Sequence, residues 1–190
     1  MEYRERSHRP RAYNEAGHAH ELTFSCYRRI KFFSKERPCQ WLVNAIQEAK
    51  DDLDYDLWAY VFMPDHVHLI VYPRRHVYDT SDFLKRVKEP VARQAVEYLK
   101  RTAPEWLEHL VVRGKNRKLH RFWQAGRGFD RNLTTVKALL AAIDYLHMNP
   151  VRKKLCEQAN QWRWSSAGCF EGSPLNELKV DRIDLDWLHS

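Results

Sequence analysis

Two histidines, His66 and His68, sit two residues apart at the start of an apolar run, Val67 to Tyr72, that includes β-branched residues. Side chains alternate along a strand, so His66, His68, Ile70 and Tyr72 share one face and Val67, Leu69 and Val71 the other. Two residues advance a strand by about 6.6 Å. Both imidazoles can then converge on one metal ion while Val67 anchors the strand in the core. A bare His-x-His is more often a pair of solvent-facing histidines, so the pair needs company. Zinc hydrolases of the His-x-His-x-Asp type are excluded, because two residues past His68 stands Ile70.

The company lies some eighty residues on. At 100° per residue, a helix over Asn132–Asn149 gathers Val136, Leu139, Leu140, Ile143 and Leu146 into a core stripe. Tyr145 falls roughly opposite, on a side shared with Ala138, Ala142 and Asn149; His147 turns toward the core. Small alanines leave space before the tyrosine hydroxyl, and Asn149 offers an amide oxygen about one turn away. Two neutral imidazoles and one amide oxygen leave open positions on a metal for water or a phosphate. A tyrosine beside such a phosphate can attack phosphorus, with the ion offsetting the developing charge. A lone helix tyrosine is usually a surface residue, so this too is modest evidence alone.

The elements that must position these groups can be read around them. Leu22, Phe24 and Cys26 alternate with polar residues and predict a strand within 18–28. Leu42, Ala45, Ile46 and Ala49 predict a helix over about 37–51, with Pro38 in its first turn. A strand over Leu57–Met63, punctuation at Pro64-Asp65 and the His66 strand follow. Phe83 to Leu99 carry an apolar helical stripe that Pro90 is expected to kink or split. Residues 113–131 hold seven arginines and lysines against one acid, with Phe122, Trp123 and Phe129 interleaved and Gly126 and Gly128 loosening the backbone. This segment can supply one more strand before the last helix. The order β-α-β-β-α, then this segment, then a helix reads as one α+β domain with an antiparallel sheet.

Length and charge bound the reading further. The 190 residues suggest one domain, and 44% hydrophobic content can fill its core. It divides into a basic N-terminal arm (1–17), the domain (18–170) and an acidic C-terminal extension (171–190). The net charge is +7, and because the extension is acidic, the first 170 residues carry +10. That imbalance favours a polyanionic partner. No apolar run approaches a membrane span and no signal peptide is visible, so a cytoplasmic protein is expected. Cys26, Cys39, Cys156 and Cys169 form no C-x-x-C pair and read as reduced thiols.

Together these motifs resemble a known family. Pro64-Asp65-His66-Val67-His68 is similar to the His-hydrophobe-His motif of HUH endonucleases. Phe122-Trp123-Gln124 and the run from Asp144 to Arg152 resemble the second half of single-tyrosine transposases, most closely the REP-associated branch. Arg9 to Asn14, Gly17 to Thr23 and Trp162 to Ser166 add to the match. The resemblance implies a ferredoxin-like βαββαβ sheet with the histidines on a central strand. It implies Tyr145 as nucleophile, Mg²⁺ or Mn²⁺ on His66, His68 and Asn149, and a 5′-phosphotyrosine intermediate. The substrate would be single-stranded DNA with a hairpin. Arg9, Arg11, Lys115, Arg117, Lys118, Arg121 and Arg127 would track phosphates, and Phe122, Trp123 or Phe129 would stack on bases, unless they belong to the core. Two rivals stay open: a non-catalytic nucleic-acid-binding module, and a phosphoesterase in which water attacks. Monomer and homodimer are both compatible with the resemblance.

Overall fold

A computed structural model describes residues 13–113, 118–172, 177–184 and 187. Its centre is a four-stranded antiparallel sheet of β1 (Ala19–Ser25), β2 (Tyr55–Met63), β3 (His66–Pro73) and β6 (Phe129–Leu133), in the order β2-β3-β1-β6. With α1 (Glu36–Leu53) between β1 and β2 and α2 (Thr80–Thr102) between β3 and β6, this is the expected ferredoxin-like βαββαβ arrangement. A small hairpin of β4 (Val111–Arg113) and β5 (Lys118–His120) stands apart from the sheet.

The sheet buries both faces. Leu22 and Phe24 of β1, Tyr60 and Phe62 of β2 and Val67, Leu69 and Val71 of β3 meet α1 and α2 in one core. Trp58, Val61 and Ile70 meet Leu139, Ile143 and Leu146 of α3 (Val136–His147) in the other. The alternation read for β3 therefore holds: the face that carries His66 and His68 looks toward α3. Helix α1 ends on Asp54 in the left-handed conformation, whose N–H reaches the Lys50 carbonyl. Asp79 caps α2 by accepting from the Ser81 N–H at 2.7 Å.

Three expectations are corrected. Helix α2 runs through Pro90 without being split. An interior proline costs about 3 kcal/mol, but Phe83, Leu84 and Val87 before it and Val91 and Ala95 after it are buried in the α1 core, and that burial on both sides keeps the helix unbroken. The last helix is shorter than 132–149. Residues 129–133 pair with β1 as β6, α3 starts beyond the Thr135 cap, and the chain breaks at Met148 before a single turn, α4 (Asn149–Arg152). Leu140 is exposed and lies outside the stripe that buries Leu139, Ile143 and Leu146. One flank of a stripe stays dry only where the sheet extends beneath it.

Both flanks of the described residues return to the sheet. Tyr13 and Asn132 exchange hydrogen bonds, and Tyr78 Oη donates to the Glu15 carbonyl. Residues 164–166 line the free edge of β2: the Phe62 N–H donates to Trp164 O, and the Ser166 N–H donates to Tyr60 O. Asp181 accepts from the Leu57 N–H and from buried Lys50, and Trp187 packs edge-on against Trp58 and Tyr72. An edge strand that would otherwise expose unpaired amides is thereby closed. No helix among the described residues is long and apolar enough to cross a membrane.

Candidate active site

The register of the sheet brings the two histidines to a defined place. His68 lies opposite Thr23 on β1 and Val61 on β2; His66 lies opposite Ser25 and Met63. Their ring centroids are 4.8 Å apart at 74°. Each ring is held through Nδ1. His66 Nδ1 is 2.6 Å from Asp65 Oδ1, and Asp65 Oδ2 is 3.0 Å from Arg29 Nε. His68 Nδ1 is 2.8 Å from Thr23 Oγ1. The carboxylate accepts from His66 Nδ1–H and so leaves Nε2 with the lone pair, and the hydroxyl holds the His68 ring through Nδ1. His68 Nε2 is buried and has no partner among the described residues. Burial pushes both rings below the usual histidine range, His68 to about 3, so both stay neutral as metal binding requires.

Tyr145 shares a cleft with His68, whereas His66 and Asn149 are not among the residues that line it. Tyr145 is half exposed and faces a cleft of about 550 Å³ together with His68, Thr23, Phe129, Arg131 and Ala142. The Arg152 guanidinium lies 4.3 Å over the Tyr145 ring and donates to its carbonyl at 2.9 Å. Asn149 is buried, and its Nδ2 donates to the carbonyls of Tyr145 and Leu146 at 3.0 and 3.3 Å. With the amide nitrogen so engaged, the oxygen is the atom left for a ligand. The residues expected from the sequence offer a divalent cation two borderline imidazole donors, one without a partner among the described residues, and one hard amide oxygen. Among the described residues no group of three or more His, Cys, Asp or Glu is arranged to hold a metal.

Residues 15–126 match the family model described as "Transposase IS200 like". The chain belongs to the IS200-like transposase family. The matched stretch contains His66 and His68 and ends before Tyr145 and Asn149. Among solved structures, the chain is similar to a REP-associated tyrosine transposase bound to a REP hairpin. Identity is 20%, with 93% of this chain and 92% of that one covered and a TM-score of 0.68, which is a likeness of fold. A candidate transposase from Deinococcus radiodurans R1 is similar at 17% identity over 72% of this chain and 93% of its own, with a TM-score of 0.45. No curated protein matches the chain.

The residues expected to contact DNA in this family member fare unevenly. Arg9, Arg11, Lys115 and Arg117 lie outside the described residues, as does the side chain of Lys118, whose backbone belongs to β5. Arg121 is half-buried. Phe122 and Trp123 are not stacking surfaces: both are buried in the α1–α2 core. Phe122 stacks on Phe32, and the Trp123 indole N–H donates to Lys88 O. Aromatic rings in a basic segment look the same in sequence whether they face bases or fill a core. Arg127 is tied down, donating to Thr80 Oγ1 at 3.1 Å and lying 3.8 Å from Asp130. Phe129 is the exposed aromatic of the segment, and it lines the Tyr145 cleft.

Several supporting residues are not evident from the sequence. Asp65, Arg29 and Thr23 orient the histidines, and Arg152 holds Tyr145. Of these, Asp65, Thr23 and Arg152 fall within the motifs that carry the resemblance, but the motifs do not state these roles, and Arg29 falls in none of them. Gly128, expected to loosen the backbone, has a tighter role. At φ +88° it brings β6 so close to β1 that a Cβ there would collide with Thr23 O.

Proposed function

We propose that the protein cleaves and rejoins single-stranded DNA beside a hairpin through a covalent phosphotyrosine, as in the REP-associated branch of its family. The observation that carries this reading is that Tyr145 and His68 line one cleft, and that His68 Nε2 is buried without a partner among the described residues. His66, His68 and Asn149 would hold Mg²⁺ or Mn²⁺. When bound, the cation would polarise a phosphoryl oxygen and offset the charge that builds there in the transition state.

The remaining work belongs to the chain. Arg152 fixes the Tyr145 ring from one side, so the phenol is presented to the cleft in one orientation. Its oxygen bonds to phosphorus while the bond from phosphorus to the 3′ oxygen breaks. The phenolic proton is given up, and the departing 3′ oxygen takes one. One ester replaces another, leaving a 5′-phosphotyrosine and a free 3′-hydroxyl, so rejoining needs no ATP. The hairpin carried by the structural relative and the +10 charge of residues 1–170 support a hairpin-bearing single strand as substrate.

The test is incubation of the full chain with a hairpin-bearing single strand and Mn²⁺, followed by a denaturing gel. A covalent adduct on Tyr145, absent from Tyr145→Phe, is expected. Cleavage that persists in Tyr145→Phe would point to water as the attacking group and refute the phosphotyrosine route.

A further inference from the structure

A second cleft, of about 520 Å³, lies on the α1–α2 side of the sheet. Lys31, Lys35 and Arg37 line it beside Trp41, Tyr98 and Trp106, and no carboxylate is among its described lining residues. Trp106 is nearly half exposed, and the Arg37 guanidinium lies 4.6 Å over the Tyr98 ring. Cations around exposed aromatic faces suit a phosphate chain with unpaired bases, because every base has a face to stack and every linkage a charge to neutralise.

The cleft is joined to the turn that leads into His66 by a loop with unusual geometry. Arg28 and Arg29 are consecutive non-glycine residues in the left-handed region, at φ +53° and +58°. Such strain persists only where surroundings impose it, and it gathers at functional sites. Here hydrogen bonds from Cys26 N–H to Asp65 O and from Phe33 N–H to Pro64 O hold the loop against the turn that leads into His66. Arg29 pairs with Asp65, the partner of His66. From that pair the cations Arg28, Lys31, Lys35 and Arg37 follow the chain into the aromatic cleft.

We infer that this cleft holds unpaired nucleotides of the same DNA strand that is cut at Tyr145, after the strand has crossed Arg28 and Arg29. The inference rests on the proposed single-strand DNA substrate and adds a second contact surface to it. The full chain is irradiated with a long oligothymidylate carrying 5-iodouracil, and the crosslinked peptides are mapped. Crosslinks to Trp106, Trp41 or Tyr98 are expected. Trp106→Ala should weaken binding of the long strand at least about fivefold, the loss of one stacked base. Trp106→Phe should recover most of it, and a short oligonucleotide that fills only the Tyr145 cleft should bind both variants equally. Crosslinks confined to Phe129 and Tyr145, with unchanged affinity in Trp106→Ala, would overturn the second cleft and leave the DNA reading standing. Failure of the unaltered chain to bind any single strand would overturn both.

Discussion

The proposed nucleophile and the proposed metal ligands are separated by their surroundings. Tyr145 is half exposed and makes no contact on which a core depends, so Tyr145→Phe should change stability by no more than about 0.5 kcal/mol while abolishing the covalent adduct. His66→Ala combined with His68→Ala should remove the rise in melting temperature that Mn²⁺ gives the unaltered protein, as differential scanning fluorimetry can read. A persistent rise would place the ion elsewhere. His147 is the counter-example. It is as buried as the metal histidines, but its Nε2 is 2.8 Å from Ser166 Oγ, so it serves the closure of the β2 edge. Burial pushes it down to about 4 from 6.5. An unfolded chain takes up this proton near pH 6.5 and the folded one resists until about 4. Stability is therefore full above 6.5 and falls as pH drops toward 4, by up to about 3 kcal/mol. His147→Gln should flatten part of that decline in denaturation midpoints measured against pH. Curves parallel to the unaltered protein would show that the ring does not titrate with unfolding.

At the scale of elements, the site depends on how closely β6 approaches β1. Thr23 orients His68 from β1, Phe129 lines the cleft from β6, and Gly128 sets the distance between them. In Gly128→Ala the new methyl would meet the Thr23 backbone, and β6 must move. A loss of about 1–3 kcal/mol is expected from strain and overpacking, together with weaker Mn²⁺ binding as Thr23 shifts. Urea denaturation and metal titration on the same variant check both halves. A variant of full stability and unchanged metal affinity would mean that β6 can give way at no cost. The break between α3 and α4 matters in a similar way. There Asn149 folds its amide back onto the last carbonyls of the helix that carries Tyr145.

Across the whole molecule, charge would set how the proposed DNA substrate is drawn in. The basic residues of 113–131 are the largest concentration of cations in the chain with a single acid among them. Lys115→Gln with Arg117→Gln should reduce the dependence of single-strand affinity on salt. The slope of log affinity against log salt should fall by roughly 0.7 for each phosphate that is no longer neutralised. An unaltered slope would transfer the role to Arg9 and Arg11 of the arm. The described part of the acidic extension, by contrast, does not oppose this charge freely. Asp181 is engaged by Lys50 and the Leu57 amide, and Glu177 by Arg163.

Local pattern alone determined the strand that carries His66 and His68, the face they share and the exposure of Tyr145. Side-chain alternation and the 100° step are properties of the backbone that hold wherever the element lies. The βαββ order followed from the same periodicities, and the family from ordered motifs. Tertiary structure alone decided the rest. The burial of Phe122 and Trp123, the exposure of Leu140 and the passage of α2 through Pro90 depend on which surface lies against them, and a neighbour's extent is not written in local spacing. The pairing of Thr23 with His68 joins residues 45 apart and depends on strand register. Gly128 is the sharpest case. A glycine in a basic loop reads as freedom, and only the β1 backbone beside it makes it a requirement.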